Sequence, residues 1–165
     1  MRLFFSKRFH QWLGVAFALS LMAQTPQPSP IIPAPPEPWE KERPAITQTA
    51  LDYVEGWYEG NAERMERALH PDLAKRIVRG DFKVGPNRLD QMSALTLVQA
   101  VRKGFGKATP KEKQQKDVII LDIYQNVATV KAVMADWVDY MHMAKWNGRW
   151  VIVNVLWELK PKPQK

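Results

Sequence analysis

The stretch from Val138 to Trp157 constrains the fold more than any other part of the chain. Both of its halves are rich in β-branched and aromatic residues, and they meet at Asn147 and Gly148. An Asn-Gly pair tolerates the positive φ angles of a type I′ turn, so the pattern predicts two antiparallel strands joined by a tight turn. A hairpin this apolar is not stable alone in water, so the rest of the chain must supply further strands and a helical cover.

The residues before the hairpin provide both. Apolar residues recur at three- and four-residue spacing from Ala45 onward, which predicts a helix that Gly60 ends. Asn61 can cap a second helix and Ser93 a third. Runs of β-forming residues predict further strands, in residues 73–84 (a short irregular strand or strand pair), 118–124 and 127–134.

This order of elements predicts an α+β fold, in which a cone-shaped, strongly bent antiparallel sheet has about three N-terminal helices packed on its concave side. The domain would span residues 45–160, and a basic tail of residues 161–165 would follow it. Residues 1–23 begin with basic side chains and continue with an uncharged apolar run. A permanent span needs about 20 apolar residues, so the shorter run predicts a secretory signal. An uncleaved anchor is the alternative, since Leu21 and Met22 make the cleavage site imperfect.

Prolines are concentrated in residues 24–44, which predicts an extended linker between the signal and the domain. The protein is therefore expected to be exported, either periplasmic or secreted. It would be held at a membrane only if the signal is retained.

The composition excludes several classes of function. The formal net charge is +7, but the basic residues are spread along the chain rather than clustered with aromatics, so no nucleic-acid partner is predicted. The chain has no cysteine, which excludes disulfides and thiolate chemistry. It also contains no Gly-rich phosphate loop, nucleophile elbow or zinc signature, so neither a cofactor nor a metal site is predicted.

Two separated stretches resemble the putative lumazine-binding family. The first is a helix-Gly-helix-His-Pro pattern over residues 50–71, and the second is the Asp-Tyr…Lys…Gly-Arg-Trp pattern over residues 139–150. The family is part of a larger group of cone folds similar to nuclear transport factor two, SnoaL-type polyketide cyclases and ketosteroid isomerase. The resemblance covers roughly residues 45–159. It implies a cone whose inward-facing side chains carry the function, although the family name rests on a presumed ligand.

The resemblance to ketosteroid isomerase gives Tyr53 a specific meaning. It would place there a phenol that donates a hydrogen bond to a ligand oxyanion, whereas the structural alternative is a buried tyrosine with a satisfied hydroxyl. The isomerase also needs a carboxylate base on the strand after the second helix. Residues 74–77 occupy that place with Ala, Lys, Arg and Ile. Proton shuttling by that mechanism is therefore not expected, and no catalytic residue is predicted.

Alternation along the hairpin divides its side chains between two faces. We assign Tyr140 and His142 to the cone interior because the lysine at position 145, on the other face, prefers water. Asp136 and Asp139 are interpreted as turn residues. With the first helix and the last strand, the predicted ligand-binding residues are Tyr53, Trp57, Tyr140, His142, Trp150 and Asn154.

The opposite face of the last strand would then carry four apolar side chains, Val151, Val153, Val155 and Trp157. Such a face would be unfavourable in water, and in similar folds a dimer partner covers it. The sequence therefore predicts homodimerisation through the outer sheet face.

These features favour an exported, non-enzymatic domain that binds a small aromatic or apolar molecule inside the cone. One alternative is a structural or interaction module with a filled cone. Another is an enzyme of the cyclase or isomerase kind that uses His142 with Tyr53, which requires both side chains to face one open cavity.

Overall fold

The structure is a computed structural model that describes residues 37–80 and 85–162. The predicted signal of residues 1–23 and the linker up to residue 36 lie outside the described residues, as does the end of the basic tail. Among the residues described, no helix is long and apolar enough to cross a membrane.

The predicted helices are present as α1 (Arg43–Glu59), α2 (Ala62–Ala68) and α3 (Ala94–Arg102). Gly60 ends α1 in the left-handed conformation, with φ of 64°. The side chain of Asn61 caps α2 by accepting a hydrogen bond from the backbone N–H of Arg64, and Ser93 caps α3 by accepting one from Thr96. Each cap satisfies a donor that the first helical turn leaves free, so these local predictions are confirmed.

Six strands form one open sheet, in the order β2-β1-β6-β5-β4-β3. The strands are β1 (Leu69–Arg79), β2 (Arg88–Ser93), β3 (Asp117–Tyr124), β4 (Val127–Val133), β5 (Trp137–Trp146) and β6 (Arg149–Leu159). The hairpin predicted over residues 138–157 is formed by β5 and β6. Its turn residues Asn147 and Gly148 have φ of 48° and 78°, the positive values that were predicted. The bent sheet covered by helices is confirmed, but it is mixed rather than antiparallel because β1 pairs with β6 in parallel.

The folded domain begins before residue 45. A 3-10 helix, Pro38–Glu42, precedes α1, and the Trp39 ring packs edge-on against Tyr124 with 5.1 Å between ring centroids. Glu42 accepts a hydrogen bond from Lys145 at 2.9 Å. Residues 38–44 are therefore part of the domain and not of the linker. Proline is compatible with the first turn of a helix, so its density alone does not separate a linker from a helix start.

The three helices lie against one face of the sheet, which we call the inner face. A β-bulge in β6 changes which of its side chains point to the inner face. Asn154 pairs with His142 and Ile152 with Met143, so Val153 is an extra residue without a partner on β5. The β6 side chains that face inward are consequently Trp150, Ile152, Val155 and Trp157.

Gly106 lies directly against the backbone of α1. A Cβ atom added there would be 1.9 Å from the carbonyl oxygen of Trp57. We expect Gly106→Ala to lower the free energy of unfolding by about 3 kcal/mol, because two backbone segments would have to separate. Gly85→Ala is the control, since an added Cβ at Gly85 meets nothing within 4 Å. Urea denaturation of both variants checks this, and equal stability of the two would contradict the close approach.

Asp52 connects α1 to α2. Its carboxylate accepts hydrogen bonds from Arg64 at 2.9 Å and from Arg67 at 3.0 Å. Burial acts to raise the pKa of Asp52, but the bonds from Arg67, Arg64 and Gln48 outweigh it and hold that pKa below its usual value of 3.8.

The lowered pKa of Asp52 predicts a pH dependence of stability. The folded protein binds this proton less readily than the unfolded chain, so the stabilisation is complete above pH 3.8 and is lost as the pH falls through the folded-state pKa. We expect Asp52→Asn to flatten the loss of unfolding free energy below about pH 4. Acid titration of stability measures this. Exposed Glu63→Gln is the control and should keep the wild-type slope.

Candidate functional site

A cavity of about 600 Å³ opens on the inner face of the sheet. Its walls come from α1, α3, the strands β1, β2 and β6, and the segment that leads into β5. Most of the lining is apolar or aromatic, and the aromatic members are Tyr53, Trp57, Phe105, Trp137 and Trp157. The side chains of the described residues therefore leave the cone unfilled.

Three tryptophans form a continuous part of this wall. Trp57 and Trp137 meet edge to face at 5.5 Å between ring centroids, and Trp137 meets Trp157 in the same manner at 6.1 Å. Edge-to-face contacts fix the planes of all three rings. Trp157 also has a buried indole N–H without an acceptor among the described residues.

A buried polar cluster of Tyr53, Lys75 and Asp139 lies beside the cavity, and the first two line it. Lys75 is 3% exposed and Asp139 is 0% exposed. The Lys75 ammonium donates to the Tyr53 hydroxyl at 2.6 Å and to Asp139 Oδ1 at 2.5 Å. Tyr53 in turn donates to Asp139 Oδ2 at 2.9 Å, and the Trp137 indole donates to the same oxygen at 3.2 Å.

Burial shifts the pKa values of Lys75 and Tyr53, the two neighbours of the Asp139 carboxylate, so that the neutral form of each is favoured. It lowers the pKa of the Lys75 ammonium, although the charge of Asp139 opposes the change. Burial and the Asp139 charge together raise the pKa of the Tyr53 phenol well above 10, so Tyr53 is neutral at physiological pH.

The ordinary alternation of side chains along a strand places Lys75 and Asp139 on the inner face of the sheet. On β1 the inward side chains include Leu73, Lys75 and Ile77, and on β5 they are Asp139, Met141 and Met143. Lys75 and Asp139 each lie between apolar neighbours in the inward stripe of their own strand. This pair was not predicted from the sequence, although opposite charges in two inward stripes are a signal for a buried ion pair.

Arg79 lies further along β1, and Asp90 lies on the neighbouring strand β2 of the same cavity wall. Their side chains are 3.7 Å apart, and the Arg79 guanidinium lies 5.5 Å from the centre of the Trp157 ring. Arg79, like Lys75, therefore has a carboxylate beside it. Phe105 lines the same cavity but is largely exposed, which places it at the opening.

The predicted site residues separate into three groups. Tyr53 and Trp57 line the cavity. Trp150 is buried as predicted, but it packs in the core and its indole donates to Glu42 at 2.9 Å rather than facing the cavity. Tyr140, His142 and Asn154 belong to the opposite, outer face of the sheet.

The assignment of Tyr140 and His142 to the interior is wrong, since Tyr140 is 46% exposed and His142 is exposed as well. Lys145 was expected to face water, but it lies at the end of β5 and reaches Glu42 while sharing the face of the buried residues. Asn154 is turned outward by the bulge. Because His142 does not share a cavity with Tyr53, an enzyme based on this pair is excluded.

Asp139 and the predicted dimer residues also need correction. Asp139 is not a turn residue but a buried member of β5. Val151 and Val155 are fully buried, and Trp157 lines the cavity, so of the four predicted outer side chains Val153 alone is partly exposed beside outer-face residues such as His142. The bulge explains the error for Val155 and Trp157, because it reverses the alternation of the β6 residues that follow it.

Comparison with known proteins agrees with this architecture. The family model described as putative lumazine-binding matches residues 41–158. No curated protein matches the chain.

Three solved structures share the fold. An NTF2-like protein of unknown function from Shewanella baltica is 18% identical with a TM-score of 0.57, over 76% of this chain and 99% of that one. A second, from Silicibacter pomeroyi, is 12% identical with a TM-score of 0.56, over 73% and 98% of the two chains. A third, from Methylobacillus flagellatus, is 21% identical with a TM-score of 0.53, over 73% and 94%. At these identities the similarity establishes the fold alone.

Proposed function

Because the chain belongs to the putative lumazine-binding family, we propose that it is a non-enzymatic domain that binds a small molecule in the cavity lined by Trp57, Trp137 and Trp157. The observation that carries the proposal is the open volume of about 600 Å³ beside a buried polar cluster. Volumes of this size are typical of ligand sites, which combine apolar walls with a few placed polar groups.

The walls favour a flat, largely apolar ligand. Fixed tryptophan planes offer a large contact area at a small loss of side-chain entropy. Among the described residues, the two cations of the lining are Lys75 and Arg79, and each lies beside a carboxylate. The site therefore favours an uncharged ligand over an anionic one.

The polar cluster favours a ligand that brings a hydrogen-bond acceptor. An ammonium group has three donors, and within the described residues Lys75 uses two of them, on Tyr53 and Asp139. A carbonyl oxygen of the ligand can accept the third. Trp157 supplies a further indole N–H that lacks an acceptor in the described part of the chain.

The experiment is a tryptophan-fluorescence titration of the full chain with lumazine and with riboflavin, combined with native mass spectrometry of protein from its own host. Saturable quenching, or a retained small molecule, supports the proposal. Ligand-free protein with no saturable quenching by either compound overturns it. Trp137→Phe should reduce the quenching, and Trp146→Phe is the control because Trp146 is exposed and does not line the cavity.

Export is part of the same proposal. It is supported by the pattern of residues 1–23, where a basic start precedes an uncharged apolar run. Cell fractionation with detection of the C-terminal end tests it. Recovery in the periplasm or medium supports export, and recovery only with cytoplasmic markers contradicts it.

The second part of the proposal is a homodimer that forms through the outer face of the sheet. Its interface residues differ from those predicted from the sequence. Directly paired residues share a face, and register connects Arg76, Leu156, Tyr140, Lys131 and Ile119 into one row across the sheet. Leu156 is 52% exposed, and Tyr140 and Ile119 are also exposed. A partner sheet would remove this apolar surface from water.

We expect Leu156→Glu to convert a dimer of the full chain into a monomer, because it would bury a carboxylate in the middle of this interface. Sedimentation velocity at several protein concentrations measures the change. Leu95→Glu is the matched control, since Leu95 is also exposed but lies on α3. A wild-type chain that is monomeric throughout would refute the dimer.

A further inference from the structure

Lys75 lies in an unusual setting for a lysine. Its nitrogen is buried at the wall of an open cavity, with a tyrosine hydroxyl at 2.6 Å and a carboxylate at 2.5 Å. Its ammonium also lies 4.8 Å from the centre of the Trp157 ring. Lysines in apolar pockets act as amine nucleophiles toward carbonyl compounds, because desolvation favours the neutral amine.

We propose that Lys75 captures an uncharged aldehyde or ketone in this cavity as a covalent, reversible imine. The inference rests on the proposed function, since it names the chemical class of the ligand and adds a bond to the binding site. No turnover is required, so the domain remains a binding protein.

The neighbours of Lys75 provide each proton transfer. The Lys75 ammonium gives one proton to Asp139, and the neutral nitrogen attacks the carbonyl carbon to form the C–N bond while the π pair moves to oxygen. That oxygen takes a proton from Tyr53, which regains one from the nitrogen, giving a carbinolamine. Asp139 then returns its proton to the hydroxyl group, the C–O bond breaks and water leaves. The products are a protonated imine and one water molecule, so atoms and charge balance without an oxidant or reductant.

The geometry fits this sequence of steps. Tyr53 and Asp139 both contact the reacting nitrogen and also contact each other at 2.9 Å, which makes a closed path for protons. The aromatic walls would hold a flat carbonyl compound beside the nitrogen, and positioning of this kind contributes strongly to the rate of a bond-forming step. A second carboxylate-paired lysine, Lys145, is partly buried, pairs with Glu42 and does not line the cavity.

The test uses 2-naphthaldehyde, a flat aromatic aldehyde, with sodium cyanoborohydride to trap the imine on the full chain. The trapped protein should gain the mass of the aldehyde less one oxygen atom, and peptide mapping should place it on Lys75. We expect Lys75 to be labelled at least tenfold faster than Lys145. Tyr53→Phe should slow the labelling of Lys75 and leave that of Lys145 unchanged.

Two controls keep the result interpretable. Labelling in urea removes the cavity, so the preference for Lys75 should disappear there. The alcohol 2-naphthalenemethanol lacks the carbonyl group and reports reversible binding by fluorescence. Uniform labelling of all lysines in the folded protein overturns the imine proposal. If the alcohol or lumazine still binds in that case, the proposed small-molecule function stands without the covalent step.

Discussion

Asp139→Leu is expected to lower the free energy of unfolding by about 3–5 kcal/mol. The substitution leaves the Lys75 ammonium buried without its counter-ion and removes the acceptor of Tyr53 and Trp137. A buried charge without a partner keeps its full desolvation penalty, which is larger than the net value of the pair itself. Urea denaturation monitored by circular dichroism measures the loss.

The double variant Lys75→Met/Asp139→Leu is the decisive control. Replacing both partners with apolar residues removes the unpaired charge, so much of the lost stability should return. The difference between the double variant and the sum of the single variants gives the coupling energy. If Asp139→Leu alone changes stability by less than about 1 kcal/mol, the ion pair is not buried as the structure has it.

Ala100→Trp is expected to weaken ligand binding at least tenfold, or about 1.4 kcal/mol, while the domain stays folded. Ala100 lines the cavity from α3, so an indole at this position occupies the space that a flat ligand needs. The measurement is the lumazine or riboflavin titration, whichever compound quenches the wild-type protein.

Ala45→Trp is the matched control because Ala45 is exposed near the start of α1 and does not line the cavity. It should bind as tightly as the wild-type protein. Equal affinity of both variants would place the ligand elsewhere, for instance on the outer face. Unfolding free energies of the two variants show whether a loss of affinity reflects a filled cavity or a damaged fold.

Local sequence signals predicted most of the fold. The Asn147–Gly148 turn, the caps at Asn61 and Ser93 and the end of α1 at Gly60 all depend on residues within one turn of each other, and all are confirmed. Tyr53 was also recognised as a buried side chain, because the helical stripe that contains it is unambiguous.

The site itself was only partly predictable. Tyr53 and Trp57 were found because α1 is regular, whereas Lys75 and Asp139 were missed because each looks like an ordinary surface charge in its own strand. The two residues are 64 positions apart in sequence, and only their pairing makes burial acceptable to either. A charged residue within an inward apolar stripe therefore predicts a partner that must be sought elsewhere in the chain.

The sequence by itself determined most of the elements, their order and the family, since these follow from periodicity, turn chemistry and matching motifs. Strand β2, Arg88–Ser93, lies outside the predicted strand region of residues 73–84. The tertiary structure alone decided which face of β5 and β6 points inward. A single extra residue, Val153, reverses the alternation of β6. Lys145 occupies the inner face because it pairs with Glu42, which is far from it in sequence. Side-chain direction in a strand alternates with a period of two. One bulge is therefore enough to move the side chains that follow it to the opposite face of the sheet, and one ion pair distant in sequence is enough to hold a lysine on the inner face.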